Sequence, residues 1–185
     1  MLLKVSFLIN REKELKMKSL NNIPFVSATR RNHALEHATM KILANRYKGI
    51  KMMGHSNPTG FVLFADLPTE LVTDAVLEAR RRLRDGEKEL AIHPGCVTNM
   101  AVSSVLSGSA AFLVLMGLSK GKNPKWWQIL LAAVTAVPVY QLSKPIGPLL
   151  QEKVSTDADI AELEVTLVRS QKTKNSFIHY INTRA

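Results

Sequence analysis

Residues 97–118 read VTNMAVSSVLSGSAAFLVLMGL, 22 positions without a formally charged side chain. At about 1.5 Å per residue, a helix of this length reaches across a hydrocarbon core of about 30 Å. Its small residues, among them Ser103, Ser104, Ser107, Gly108 and Ala111, let a second helix approach closely. A second uncharged stretch begins at Trp126-Trp127, an interfacial aromatic pair, and runs to Ser143. Pro138 is placed to kink it, and Pro145 and Pro148 to end it. Eighteen uncharged residues suit either a tilted span or a re-entrant segment. The short loop Lys120-Gly121-Lys122-Asn123-Pro124-Lys125 makes the two segments antiparallel. The expectation is therefore a membrane helical hairpin over residues 97–150 in a multi-pass protein.

The rest of the composition agrees with two solvents. Hydrophobic residues make up 46% of the 185-residue chain and charged residues 22%, yet no Asp, Glu, Lys or Arg occurs from Leu90 to Ser119. The formal net charge of +10 suits basic flanks held against anionic head groups. Nucleic acid is not the expected partner. The densest basic run, Arg80-Arg81-Arg82 with Arg84, lies at the end of an amphipathic helix and has no aromatic residues interleaved to stack bases. A single cysteine, Cys96, rules out an intramolecular disulfide. Met1 to Asn10 has a short apolar stretch but lacks a small-residue cleavage site, so it reads as a short strand or interfacial helix rather than a signal peptide. Lysines in the hairpin loop and arginines before the hairpin give opposing topology signals. Without an export signal, both termini are expected in the cytoplasm.

Outside the hairpin, the pattern predicts an α+β fold: a small mixed sheet with two amphipathic helices, interrupted by the hydrophobic hairpin. The first helix spans residues 28–47, with Ala34, Leu35, Ala38, Ile42 and Leu43 as its apolar stripe. Ile50 to Met53 reads as a strand with both methionines in the core, residues 54–60 as a loop that includes His55, and Gly60 to Ala65 as a buried strand. Residues 66–69 open a second helix with Leu71, Val72, Ala75, Val76, Ala79 and Leu83 on its buried face. Lys88 to Ile92 reads as a third strand, Asp157 to Ala161 as a short helix, and residues 164–169 and 176–182 as two further strands. This gives a basic α+β region at 1–96 with a candidate metal site, the hairpin at 97–150, and a C-terminal piece at 151–185 that joins the α+β domain.

One motif carries chemistry. His33-Ala34-Leu35-Glu36-His37 is H-x-x-E-H on a predicted helix, where positions i and i+4 share a face, so both imidazoles can reach one metal ion. Neutral imidazole suits zinc, and Glu36 can take a proton from a metal-bound water. His93 and Cys96, spaced H-x-x-C just before the hairpin, offer the remaining donors. Three histidines plus a water make an open, catalytic site, whereas adding Cys96 closes it into a structural one. The bland alternatives are helix-surface histidines for His33 and His37, a turn residue for His93, and a small apolar residue for Cys96. His179 falls in a predicted strand.

The H-x-x-E-H segment resembles the inverted zinc motif of the pitrilysin and insulin-degrading metallopeptidases. That resemblance implies His33 and His37 as zinc ligands and Glu36 as general base. The family's third ligand is a downstream glutamate, and the matching distance here falls in the uncharged segment, where no glutamate exists. Along most of its length the chain also looks like an uncharacterised family of bacterial membrane proteins, through Asn32 to Ala38, His93 to Cys96 and the hairpin. That likeness groups the motifs and implies no activity.

The expectation is a membrane-anchored zinc hydrolase, acting as a peptidase near the membrane surface on membrane proteins or peptides. The rival is a non-enzymatic assembly or scaffold factor with a structural metal or none. Heme binding is a third reading, which lacks a C-x-x-C-H motif. Neither G-x-G-x-x-G, a P-loop nor G-x-S-x-G occurs.

Overall fold

A helix that buries residues on several faces organises the first half of the molecule. In the computed structural model, which describes residues 23–160, 162–173 and 176–184, helix α1 runs Pro24–Arg46. It starts four residues earlier than the stripe implies, because Pro24 fits the first helical turn, where an N–H would lack a partner anyway. Ala34, Leu35, Ala38, Ile42 and Leu43 are all buried. So are Ser27, Arg30, Asn32, Glu36, His37 and Thr39, which is why α1 has little amphipathic asymmetry. Buried polar groups need hydrogen-bond partners, so the positions of those partners show what α1 is for.

The chain divides into two compact units. One runs to His93 and resumes at Glu152; the other is Pro94–Gln151. In the first, strands β1 (Met52–Asn57) and β2 (Gly60–Ala65) form a hairpin. Helix α2 (Thr69–Arg84) follows directly after Pro68, and then comes a 3₁₀ turn over Lys88–Ala91. Strands β3 (Glu164–Lys172) and β4 (Phe177–Arg184) complete a four-stranded sheet in the order β1-β2-β4-β3. The α+β class holds, and every strand pairing is antiparallel.

The core lies between this sheet and the two helices. Phe61, Leu63 and Ala65 of β2 face the same side as Ile181 and His179 of β4, and pack with Leu35, Leu43, Val72 and Val76. Most of the arginine run of α2 is engaged locally. Arg82 pairs with Glu87 and Glu78, Arg81 with Asp85, and Arg80 donates to the Leu163 carbonyl. Arg82 in turn holds the Glu87 carboxyl below its ordinary value.

Several local expectations are corrected. Residues 54–57, predicted as a loop, belong to β1, so His55 sits on a strand and is exposed. Turn-forming residue types are overridden here by pairing with β2. Met53 faces outward at 59% exposure, and only Met52 packs on the core. Lys88–Ala91 is a 3₁₀ turn because Leu90 and Ala91 are buried beneath α1 without a strand neighbour. Asp157 to Ile160 has no helix. The expectation for Met1 to Asn10 lies outside the described residues.

In the second unit, helix α3 (Val97–Ser119) packs along helix α4 (Trp126–Ser143), and the short helix α5 (Ile146–Leu150) packs on α3. Pro138 lies inside α4 without ending it. A π-helical turn over Gln151–Ser155 then leads the chain back. Among the described residues, α3 alone is long and apolar enough to cross a membrane as a single helix. α4 with its continuation to Ser155 passes only as a pair bent by 53°. The burial pattern is inverted relative to a water-soluble core. Asn99, Ser103 and Ser107 are the buried residues of α3, while Val105, Phe112 and Leu113 are exposed. Gln128 of α4 donates to the Leu118 carbonyl and accepts from the Lys125 N–H, which ties the loop between the helices.

Candidate metal centre

His33 and His37 stand one helical turn apart on α1, with ring centroids 4.2 Å apart and planes tilted by 59°. Their ligand atoms lie within 4.8 Å of each other. Each ring is oriented through Nδ1. That of His37 donates to the Ala91 carbonyl at 2.8 Å, and that of His33 to the Ser155 carbonyl at 3.0 Å. A carbonyl only accepts, so both Nδ1 atoms carry the proton, and in the neutral rings the lone pair sits on Nε2. This is the arrangement by which backbone carbonyls orient metal-ligating histidines.

The carbonyls are themselves held in place. Ala91 sits in the 3₁₀ turn after α2, buried at 1% exposure. Ser155 ends the π-helical turn, a geometry often found at functional sites. Arg30, one turn before His33 on α1, donates to the Thr156 carbonyl at 2.9 Å and to the Lys153 carbonyl at 3.4 Å. The Arg30 carbonyl accepts from the Asp157 N–H at 3.1 Å. Arg30 therefore anchors the segment that orients His33.

His93 lies beyond His37, at 5.7 Å between ring centroids. Cys96 belongs to the hairpin unit, where it is the half-buried N-cap residue of α3.

Glu36 is 4% exposed. It lies over the inner face of β1, where Met52, Gly54 and Ser56 alternate toward the helices. The Ser56 hydroxyl donates to its carboxylate. A Cβ on Gly54 would sit 2.6 Å from Glu36 Cδ, so only glycine leaves room for the carboxylate there. Asn32 supports the same edge: its Nδ2 donates to the Asn57 carbonyl at 2.8 Å, and its Oδ1 accepts from the Thr183 hydroxyl at 2.6 Å.

The structure thus groups His33, His37 and His93 in one region of the first unit and seats Glu36 beside β1. Sequence reasoning missed Arg30, Asn32, Gly54 and Ser56. An alternating Gly54/Ser56 pair ahead of a buried strand was the available signal for the last two. Of the remaining histidines, His55 is exposed, and His179 is fully buried, stacked on Phe177 at 6.0 Å. Burial pushes the His179 imidazole below its ordinary value, and the nearby Ala65 and Leu67 backbones offset part of that shift. Neither of its ring nitrogens reaches hydrogen-bonding geometry.

The family model of the domain of unknown function DUF6391 matches residues 28–168. An uncharacterised protein of Picosynechococcus sp. (strain ATCC 27264 / PCC 7002 / PR-6) is 32% identical over 136 residues, which cover 69% of this chain. The chain spans 65% of that relative's length. No solved structure matches.

Proposed function

The chain belongs to the DUF6391 family, whose function is unknown, and from the site itself we propose that it is a membrane-anchored metal-dependent hydrolase. His33 and His37 would hold zinc through Nε2. The H-x-x-C segment His93 to Cys96, tethered directly to the end of the first unit, supplies the next donor. Zinc bound there would supply a water poised for deprotonation near neutral pH. Glu36 would be the group to take a proton from an attacking water and return it to the departing amine of a peptide bond. The carrying observation is the pair of Nδ1–H contacts to the Ala91 and Ser155 carbonyls, which ready both rings for a metal.

The anchoring half of the proposal has the hairpin crossing a bilayer twice, with both termini cytoplasmic. The apolar exteriors of α3 and α4 and the aromatic pair at Trp126-Trp127 support it. A site so close in sequence to the hairpin suits membrane proteins or membrane-associated peptides as substrates.

The test is metal content per chain by elemental mass spectrometry, on detergent-purified protein beside a His33→Ala/His37→Ala variant. About one zinc per chain, lost in the variant, is the expected result. No metal in protein prepared without chelators would remove the basis for calling this an enzyme. Glu36→Gln is then expected to keep the metal and abolish hydrolysis. Full activity in that variant rules out the mechanism.

A non-enzymatic scaffold with a structural metal is the second reading. The observation favouring it is the confinement of the Glu36 carboxylate by Ser56 and Gly54, which suits a packing role as well as a basic one. Loss of zinc in Cys96→Ser, together with stable co-purifying membrane subunits, would decide for this reading.

A further inference from the structure

Within the hairpin unit lies a cavity of about 310 Å³, lined by Asn99, Met100 and Ser103 of α3, Tyr140 of α4, Lys144 and Pro148. Its lining is amphipathic: an ammonium, a phenol, a hydroxyl and a carboxamide lie beside a thioether and a proline ring. Lys144 is exposed, with its Nζ 5.6 Å from the Tyr140 ring centroid. Asn99 is 7% exposed, with its Nδ2 donating to the Pro94 carbonyl at 3.2 Å. It is packed against Gly147, where a Cβ would come within 2.7 Å of Asn99 Cβ. The close approach of α5 therefore builds one wall of the cavity.

We infer that this cavity is a binding site for the headgroup of an anionic phospholipid. The inference rests on the membrane reading of the hairpin and is independent of the metal centre. Three observations carry it. First, the depth is right. α4 runs from Trp126-Trp127 to Tyr140 and Lys144, about 27 Å at helical rise, so the aromatic anchors and the cavity mark opposite faces of a bilayer core. Second, the size suits a headgroup and not a whole lipid. The volume is at the lower end for small-molecule sites, and acyl chains can lie along the exposed apolar residues Leu142, Leu149 and Val97 outside it. Third, the charge selects the ligand. The cavity lining includes one cation and no carboxylate. A phosphodiester meets Lys144 and the Tyr140 hydroxyl, and hydroxyls of a glycerol headgroup meet Asn99 and Ser103. Phosphatidylcholine shares the phosphodiester, but its choline would bring a second cation beside Lys144, and the lining offers no carboxylate to receive it.

The experiment uses the full chain. Flotation with phosphatidylcholine vesicles comes first, and a chain that stays at the bottom refutes the membrane reading itself. Protein that floats is then equilibrated in nanodiscs of equal phosphatidylcholine and phosphatidylglycerol, and the lipids retained after gentle detergent release are measured by native mass spectrometry. Wild type is expected to retain about one phosphatidylglycerol in preference to phosphatidylcholine. Lys144→Gln is expected to lose roughly tenfold in that preference, because the choline cation of phosphatidylcholine then no longer meets a like charge. Lys122→Gln in the loop is the control expected to leave it unchanged. Met100→Trp, which fills the cavity without altering charge, is expected to lose the retained lipid as well. Floating protein without headgroup preference, or a Lys144→Gln variant with the preference intact, overturns the proposal. Displacement of the lipid by millimolar inorganic phosphate shows a free-phosphate site and overturns the lipid assignment.

Discussion

The Ser56 hydroxyl on β1 donates a hydrogen bond to the Glu36 carboxylate on α1, and Gly54, two residues earlier on the same face, leaves the space that carboxylate occupies. Strand alternation thus places two small residues where one helix carboxylate must be seated. The pair also distinguishes confinement from catalysis. Ser56→Ala is expected to cost about 1–3 kcal/mol, because the buried carboxylate loses a donor. Gly54→Ala is expected to cost at least as much, because its methyl overlaps Glu36. Urea midpoints of the two variants check both. A Gly54→Ala chain as stable as wild type would mean that Glu36 has another rotamer available at no cost.

Arg30 supports His33 without being a candidate ligand. By fixing the Thr156 and Lys153 carbonyls, it holds the segment containing the Ser155 carbonyl, which receives His33 Nδ1–H. Supporting residues of this kind affect metal affinity by about 10–100-fold. Arg30→Met is expected to weaken zinc binding within that range while leaving the stoichiometry at one per chain. Competition with a colorimetric chelator measures it. An affinity equal to wild type would show that the π-helical turn holds its shape without the arginine.

His179 gives the fold an acid-sensitive point. Its pKa is lowered in the folded protein, first by burial. Above its unfolded value of about 6.5 the residue is neutral in both states and adds no pH dependence to stability. As pH falls below that value the unfolded chain binds a proton and the folded chain does not, so stability declines until the pH reaches the lowered folded value. The slope in this window is at most about 1.4 kcal/mol per pH unit for one group. His179→Leu keeps an apolar body on the inner face of β4 and removes the proton. Its stability relative to wild type is expected to rise as pH drops from 7.5 to 5. Urea titrations at several pH values, with chelator present so that metal ligands do not contribute, would show a flat difference if His179 were not the sensitive group.

How much of this was legible beforehand depended on whether the information sat in side-chain pattern or in backbone. The apolar stripe of α1, the buried face of α2 and the uncharged runs of α3 and α4 are periodicities, and the elements formed where those periodicities lie. Residues 54–57 misled because Gly, His, Ser and Asn carry turn preferences, and only their pairing with Gly60 to Leu63 of β2 makes them a strand. Leu90 and Ala91 are apolar enough for a strand but are covered by α1 and α2, with no strand beside them. H-x-x-E-H identified two helix-mounted rings, but the groups that orient them, the Ala91 and Ser155 carbonyls, are backbone atoms that no residue type announces. Pro145 does mark an end, since α4 stops at Ser143, whereas Pro148 lies inside the short helix α5 that follows a bend.

That bend bears on how many times the chain would cross a bilayer under the membrane reading. α3 suffices for one span, and α4 with its continuation turns by 53° after Ser143. If both helices cross, the loop at Lys122 and the strand β4 lie on opposite sides of the bilayer. If the second segment re-enters, the odd number of crossings leaves residues before α3 and residues after α5 on different sides. The first unit, however, pairs β2 with β4 residue by residue, from Gly60 with Asn182 to Ala65 with Phe177. Strands on opposite sides of a membrane cannot exchange hydrogen bonds, so the sheet itself requires an even number of crossings if α3 spans. Single cysteines at Lys122 and Thr166, in a Cys96→Ser background, test this with a membrane-impermeant maleimide on intact cells and on inside-out vesicles. Labelling of the Lys122 position from outside and of the Thr166 position only from the cytoplasmic face is the expected result. Labelling of both from the same face would mean that the hairpin lies in one leaflet, with α3 embedded and not crossing.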